Sequence, residues 1–303
     1  MNKVKFNFSK AKEKYLKFLK TQEGVGEPFK DKAGQFKNFY IPISEIIFKN
    51  FLKNNKKTRI IGLAGGQGSG KSTISKVLQI ILKEKFNLKT TIFSIDDFYK
   101  TFKERKKMSK KISSLFLTRG VPGTHDHKLL YKCLKNLKKK SFKKVLIPQF
   151  DKSNDDRYKK KKWIEVKSKP DIVIFEGWCV GAMPQKKKDL EKPINDLERL
   201  EDTNMIWRKT TNQEIKYNYK KLFDSIDFLI FLKIPSFKYV YKWRLLQEKK
   251  LKKKSKGKKI MSNTEVKKFI MYYERITKNM LQKLSKKSNI LINIDTNHRF
   301  KSI

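Results

Sequence analysis

Cysteine is nearly missing from these 303 residues. Cys133 and Cys179 are too few for a disulfide framework and too far apart to open a zinc-ligand pattern, and His125, His127 and His298 add no metal-binding spacing. Such usage suits a reducing compartment, and the cytoplasm is the expected one. No apolar run approaches the ~18 residues that a membrane span needs. Residues 1–20 alternate Lys with Phe and Leu but have no signal-peptide core. They are expected to form a helix packed on the rest of the chain, with a membrane-surface helix as the other reading. Acidic residues are outnumbered, 29 against 75 Lys plus Arg, for a formal net charge of +46. Arginine is scarce too, with nine among those 75. Proteins that read nucleic acid draw heavily on the forked donors of Arg. A lysine excess spread along the chain therefore reads as compositional drift, and neither a specific nucleic-acid partner nor a membrane is expected. Internal repeats are also lacking.

What the chain does have is hydrophobic residues at 38% and aromatics at 12%, enough for a sizeable core. Five short apolar runs read as buried strands, at 59–64, 90–94, 171–175, 225–233 and 290–294. Runs that are apolar on both faces fit a parallel sheet covered on both sides. Between them, Ile74, Val77, Leu78, Ile81 and Leu82 recur at helical spacing, as do Val266, Phe269, Ile270 and Tyr273. Ser262 and Glu265 make a capping-box signature ahead of the second of these helices. The Lys-dense run 249–259 reads as an exposed loop. The fold class is α/β, with residues 1–58 as an N-terminal helical extension and 59–303 as the main body of a single domain.

Residues 65–72, Gly65-Gly66-Gln67-Gly68-Ser69-Gly70-Lys71-Ser72, match the phosphate-binding pattern G-x-x-x-x-G-K-[ST] and are followed by Thr73. The match follows an expected strand and opens an expected helix, the context the motif requires. Glycines let the backbone wrap phosphate oxygens, and successive N–H groups with the helix N-terminus supply positive potential. Lys71 is expected at the β- and γ-phosphates and the Ser72 hydroxyl on Mg²⁺, making ATP and Mg²⁺ the expected cofactors.

The strand at 90–94 runs into Asp96-Asp97-Phe98-Tyr99. Carboxylates at the C-terminal end of a strand beside a phosphate loop point into the ligand crevice. One can accept a hydroxyl proton while the other helps hold hydrated Mg²⁺. The same spacing also suits a helix cap or turn. The strand at 171–175 ends in Glu176-Gly177-Trp178, and an acid there has the position of a Walker B residue that orders Mg²⁺. Two loops mix cations, carboxylates and rigid residues: Arg119-Gly120-Val121-Pro122-Gly123-Thr124-His125-Asp126, and Pro148-Gln149-Phe150-Asp151-Lys152-Ser153 followed by Asp156-Arg157. Both suit a small molecule bearing a carboxylate and hydroxyls, and both also read as turns with solvated charges.

With these motifs the chain resembles the plant-type D-glycerate 3-kinase family, which sits with uridine kinase, phosphoribulokinase and bacterial pantothenate kinase among P-loop kinases. The resemblance runs from about residue 39 to residue 299. It is carried by GGQGSGKST (65–73), SIDDFY (94–99), RGVPGTHD (119–126), FDKS (150–153), FEGW (175–178), NDLE (195–198) with Trp207-Arg208, KWRLLQE (242–248) and MSNTEV (261–266). It implies a three-layer P-loop fold around a five-stranded parallel sheet with helical insertions, and phosphorylation of D-glycerate at the 3-position. It places Asp96 as catalytic base, Glu176 as the Walker B acid, and Lys71 at the transferring phosphoryl group. It places Arg244 on a helix feeding a phosphate-contacting lid and Asn297-His298-Arg299 near the adenine. Asp97, Tyr99, Arg119, His125, Asp126, Asp151, Lys152 and Arg157 fall on the substrate side, with Arg119, His125 and Lys152 as the cations for a carboxylate.

Three positions depart from the family. Phe150 replaces a usual Tyr, the glycine-bearing spacer before Asp156-Arg157 is cut to Asn154-Asp155, and Arg275 stands where many members have Pro. The competing readings are a uridine or pantothenate kinase of the same group, a nucleic-acid-stimulated ATPase using the positive charge, and a nucleotide-binding scaffold without activity. The first would want an aromatic shelf for a base, the second a stripe of aromatics interleaved with Arg. The third is opposed by intact Lys71, Ser72, Asp96 and Glu176.

Overall fold

A computed structural model describes residues 8–23, 29–254 and 261–303. The chain begins with α1 (Phe8–Gln22), which buries Ala11, Tyr15 and Leu19 at i, i+4 and i+8. A short helix, α2 (Lys32–Gln35), runs through a wide turn into α3 (Ile41–Lys53). The first strand, β1 (Arg59–Gly65), then leads through the phosphate loop into α4 (Lys71–Phe86) and on to β2 (Thr90–Ser94). Helix α4 ends at Asn87, whose left-handed backbone lets its N–H close on Lys83 O.

Next come α5 (Phe102–Lys111) and α6 (His127–Leu137), then the short strands β3 (Val145–Ile147), β4 (Phe150–Asp151), β5 (Asp156–Arg157) and β6 (Ile164–Val166). Strand β7 (Ile172–Gly177) returns to the main sheet. The helices α7 (Lys187–Glu191), α8 (Asp196–Glu201), α9 (Ile206–Glu214) and α10 (Lys220–Phe223) precede β8 (Phe228–Lys233). The chain closes with α11 (Lys238–Lys254), α12 (Asn263–Lys283), β9 (Ile290–Ile294) and β10 (Phe300–Ser302).

The main sheet has the order β10-β9-β8-β1-β7-β2. Its five long strands are parallel and coincide with the five apolar runs. The sixth, β10, is an addition to the expected sheet. It turns back antiparallel on β9 after only five intervening residues, a connection too short for a parallel crossover. Because side chains alternate along a strand, Ile61 and Leu63 of β1 enter one core with α1, α3 and α4. Ile60 and Ala64 enter the other, with α6 and α12. Strand β7 divides the same way, with Ile172 and Ile174 on one face and Val173 and Phe175 on the other. The result is a three-layer α/β fold.

The Lys-rich stretch expected as a loop is helical through residue 254 of α11, and residues 255–260 lie outside the described residues. Lysine is a good helix former, and residues 249–254 contain no Gly or Pro. The Ser262 capping box is formed: Ser262 Oγ accepts from the Glu265 N–H, and Glu265 Oε2 from the Ser262 N–H.

Arg275 has a structural partner that its sequence neighbours do not announce. On α12 it makes two 2.6 Å bonds to the carboxylate of Glu198, whose side chain is 0% exposed, and caps the carbonyls of Asp189 and Lys192. Replacing Arg275 with Met is expected to cost about 3–5 kcal/mol, because Glu198 stays buried without its counter-charge. Denaturant unfolding measures this, and Arg275→Met with Glu198→Leu should recover most of the loss. A single-variant loss below about 1 kcal/mol, the worth of a surface pair, would show that the pair is not structural.

Candidate active site

The phosphate loop is shaped by two glycines in left-handed backbone, Gly68 at φ 75° and Gly70 at φ 85°. A Cβ on Gly68 would stand 2.8 Å from Trp243 Cβ on α11, so a side chain is excluded by space as well as by conformation. The loop closes on itself through Ser69 N–H to Gly66 O at 3.2 Å. Lys71 opens α4 and donates from Nζ to Gly66 O at 3.0 Å. Ser72 Oγ lies 3.0 Å from Glu176 Oε1. Glu176 can reach it because register sets it level with Leu63 on β1 and Ser94 on β2, at the sheet end where the loop begins. Glu176 is 6% exposed. Burial pushes its carboxyl up and the Lys71 ammonium down, and each charge partly counters the shift of the other.

Asp96 and Asp97 lie in the turn that ends β2, and their environments differ. Asp97 accepts the Ser94 N–H at 3.0 Å while Ser94 Oγ accepts from the Asp96 N–H, so the cap reading of this spacing also holds. Burial pushes the Asp97 carboxyl up to about 6, with the neighbouring Asp96 charge adding to the shift. At Asp96 burial also acts to raise the carboxyl. Lys152, 3.5 Å away, and the Tyr99 hydroxyl, which donates at 3.0 Å, outweigh it and hold Asp96 below the usual carboxylate range.

These groups meet in a cavity of about 460 Å³ at the C-terminal end of the sheet. Of the expected residues, Gln67, Gly68, Lys71, Ser72, Asp96, Asp97, Lys152, Glu176 and Arg244 line it. Gly65, Gly66, Ser69, Gly70 and Thr73 complete the loop beside it. Arg244 faces the cavity from α11, held by Glu248 one turn on at 2.5 Å. Gln149, Trp178 and Gln247, which stand in the quoted motifs without an assigned role, line it as well, as does Ile164, which no motif covers. Gln247 had a signal, its i+3 spacing from Arg244 on one helix face. Ile164, on β6, had none.

The remaining expected residues stand behind this surface and brace it. Tyr99 is 3% exposed and stacks on His125 at 4.4 Å between ring centres. Arg157 donates to the Tyr99 carbonyl at 2.9 Å and pairs with Asp126, which also caps α6. Asp151 closes its own turn by accepting from the Ser153 and Asn154 N–H groups. The shortened spacer has a clear outcome: Asp155, in left-handed backbone, bridges the guanidinium groups of Arg105 and Arg119. Arg119 is thus committed to a carboxylate of the fold, contrary to its expectation as an open cation. His125 departs further from that expectation. It is fully buried, its Nδ1 lies 2.6 Å from the Tyr219 hydroxyl, and burial pushes its pKa down to about 3, so the imidazole is neutral.

No described helix is long and apolar enough to cross a membrane. Comparison with known proteins places this geometry among kinases. The phosphoribulokinase/uridine kinase family matches residues 60–190. An uncharacterized kinase of Schizosaccharomyces pombe, mug58, is 36% identical over 71% of this chain and 78% of its own length. The chloroplastic D-glycerate 3-kinase of Arabidopsis thaliana is 30% identical over 78% of this chain, which spans 52% of that protein. The solved structure of a D-glycerate 3-kinase from Cryptococcus neoformans superposes with a TM-score of 0.74 over 87% of this chain and 97% of that one, at 24% identity, and so shares the fold. This chain belongs to the phosphoribulokinase/uridine kinase family of ATP-dependent P-loop kinases and is homologous to D-glycerate 3-kinase.

Proposed function

We propose that the chain phosphorylates D-glycerate to 3-phospho-D-glycerate with Mg-ATP in the cavity between the phosphate loop and Asp96. The observation that carries this reading is the pairing of Asp96 with Lys152 at 3.5 Å in the cavity that Lys71 also lines, with the Lys152 side chain 65% exposed. Lys152 is the cation of the substrate loops that the fold leaves open toward the cavity, and a carboxylate is its natural partner. Asp96 is ionised at neutral pH and takes the proton of the attacking hydroxyl. The hydroxyl oxygen bonds to the γ-phosphorus as the bond to the bridging oxygen breaks, ADP leaves, and the proton resides on Asp96. Arg244 and Lys71 receive the negative charge of the transferring group.

Ser72 Oγ and Glu176 Oε1, 3.0 Å apart beside the loop, suit the few protein ligands that Mg²⁺ takes when phosphates and waters supply the rest. Bound there, Mg²⁺ would neutralise phosphate charge.

A nucleoside acceptor would need an exposed ring face. The aromatic residues lining the cavity, Phe93 and Trp178, are each 3% exposed, and Trp178 is tied by its indole N–H to Gly120 O. D-Glycerate is therefore expected to yield 3-phosphoglycerate by NMR, and uridine and pantothenate to yield no product. Glycerol, which brings no carboxylate to Lys152, should react with a lower kcat/KM, and because that side chain is 65% exposed the loss should fall well short of the ~10⁴-fold that follows from unpairing buried groups. Equal turnover of glycerol, or uridine monophosphate as the main product, would refute the glycerate reading.

A further inference from the structure

A second cavity of about 520 Å³ lies on the other side of the phosphate loop, within the ~300–1,000 Å³ common for small-molecule sites. Consecutive residues of the loop divide between the two spaces: Ser72 faces the first cavity and Thr73 the second, while Gly68 and Gln247 border both. A triphosphate with its γ end at Lys71 and Ser72 must carry its nucleoside past this border. The near wall of the second cavity is the loop, α11 and the turn 296–299. Its far wall comes from the chain ahead of β1, chiefly Tyr15, Phe29, Lys32 and Gln35. That stretch lies outside the family match at residues 60–190.

We propose that this N-terminal extension is one wall of the nucleoside site, so that nucleotide binding and docking of the extension are energetically linked. The inference rests on ATP as phosphoryl donor and not on the identity of the acceptor. Two features carry it. First, the wall is fixed to the turn that borders the nucleotide loop. The Gln35 side-chain amide pairs with the main chain of Phe300 as a strand neighbour would, accepting its N–H at 2.8 Å and donating to its C=O at 3.2 Å. The turn just before Phe300 reaches the loop and α11: His298 Nε2 lies 2.7 Å from Gly68 O, its ring lies against Trp243 at 4.2 Å, and the Trp243 indole donates to Thr296 O. Extension, turn, α11 and loop thus form one connected unit around the cavity.

Second, the chemistry of the wall suits a base and ribose better than another phosphate. Of the three Lys and Arg side chains that line the cavity, Lys32 is neutralised by Glu23 at 2.5 Å and Arg299 by Asp295 at 2.8 Å, and Lys30 stands exposed at the rim. Phe29, 37% exposed, presents an aromatic side chain at the rim. An aromatic surface can stack on a base in a way that tolerates its identity.

The test is ADP affinity, measured by calorimetry without any acceptor, for wild type, Phe29→Ala, Gln35→Ala and Lys37→Ala. Phe29→Ala, at an exposed site that leaves the core intact, should raise the Kd on the order of tenfold. Gln35→Ala should do the same by loosening the wall, and Lys37→Ala, exposed and away from the cavity, should bind as wild type. In turnover assays the KM for ATP should rise with little change in kcat, the signature of lost ground-state binding. Hydrogen exchange at residues 15–19 and 35–40 should slow when ADP is added. Unchanged ADP affinity in both Phe29→Ala and Gln35→Ala, or exchange in the extension that ignores ADP, would overturn the proposal.

Discussion

Replacing Lys71 with alanine is expected to lower kcat by about 10²–10³-fold, the loss that follows removal of one preorganised donor to developing charge. The ammonium is held at the mouth of α4 by Gly66 O and by the nearby charges of Glu176 and Asp96. Without nucleotide, burial pulls its pKa down; the arriving phosphates reverse that pull by adding negative charge on the exposed side. The interaction therefore strengthens where charge accumulates in the transfer, which is why kcat should suffer more than the KM for ATP. The folded state should tolerate the change, since Lys71 makes one hydrogen bond to the loop, a contribution near 1 kcal/mol. Single-turnover kinetics with a thermal melt separates the two effects. A variant that kept most of its kcat would show that Lys71 does not serve the transferring phosphoryl group.

The phosphate loop was legible because its demands are local. A tight wrap needs glycine at Gly68 and Gly70, and the strand before and helix after both declare themselves by period. The five parallel strands were legible for the same reason, each being apolar on both faces. What the sequence hid was pairing at long range. The Gln35–Phe300 contact joins residues 265 positions apart and leaves no periodic trace, so the sixth strand and its tie to the extension were unexpected. Arg105 sits in a run, Phe102–Lys111, that reads as charged surface, yet its side chain is fully buried and satisfied by the carbonyls of Lys100, Leu117 and Asp155. The cation expected at His125 failed on a related point. Nothing in the residues around it reveals that Tyr99 and Tyr219 enclose it, and a closed imidazole loses its proton. Motifs declare residue types; whether a charge faces ligand or fold depends on partners elsewhere in the chain, as Asp155 decides for Arg119.

Adjacent Asp96 and Asp97 offer the sharper test of the chemistry, because the structure gives them different work. Asp96→Asn is expected to lower kcat by ~10²–10⁴-fold, the usual contribution of a general base. The amide keeps the shape and can still meet the Tyr99 hydroxyl, but it cannot take up the hydroxyl proton of the acceptor. Asp97→Asn should reduce kcat far less. Its amide oxygen can still accept the Ser94 N–H in the cap of the β2 turn, and the change removes a charge that burial disfavours at neutral pH, so the melt should hold or rise. Asp96→Asn removes a carboxylate whose ionised form the fold favours, so its loss of kcat should come with a small loss of stability. pH adds a third axis. Asp96 is held below the usual carboxylate range mainly against the pull of burial, with Lys152 as the largest opposing influence. Removing that charge with Lys152→Met lets burial raise the Asp96 pKa, so the acid limb of the kcat/KM profile, which reports the enzyme before the acceptor's carboxylate reaches Lys152, should move to higher pH. The direction follows from sign alone: a base with a raised pKa is protonated, and idle, over a wider acid range. The shift should be modest, since the Lys152 side chain is 65% exposed and its charge partly screened by water. If Asp97→Asn proved the more damaging variant in kcat, or if Lys152→Met left the acid limb in place, the proton would be going somewhere other than Asp96.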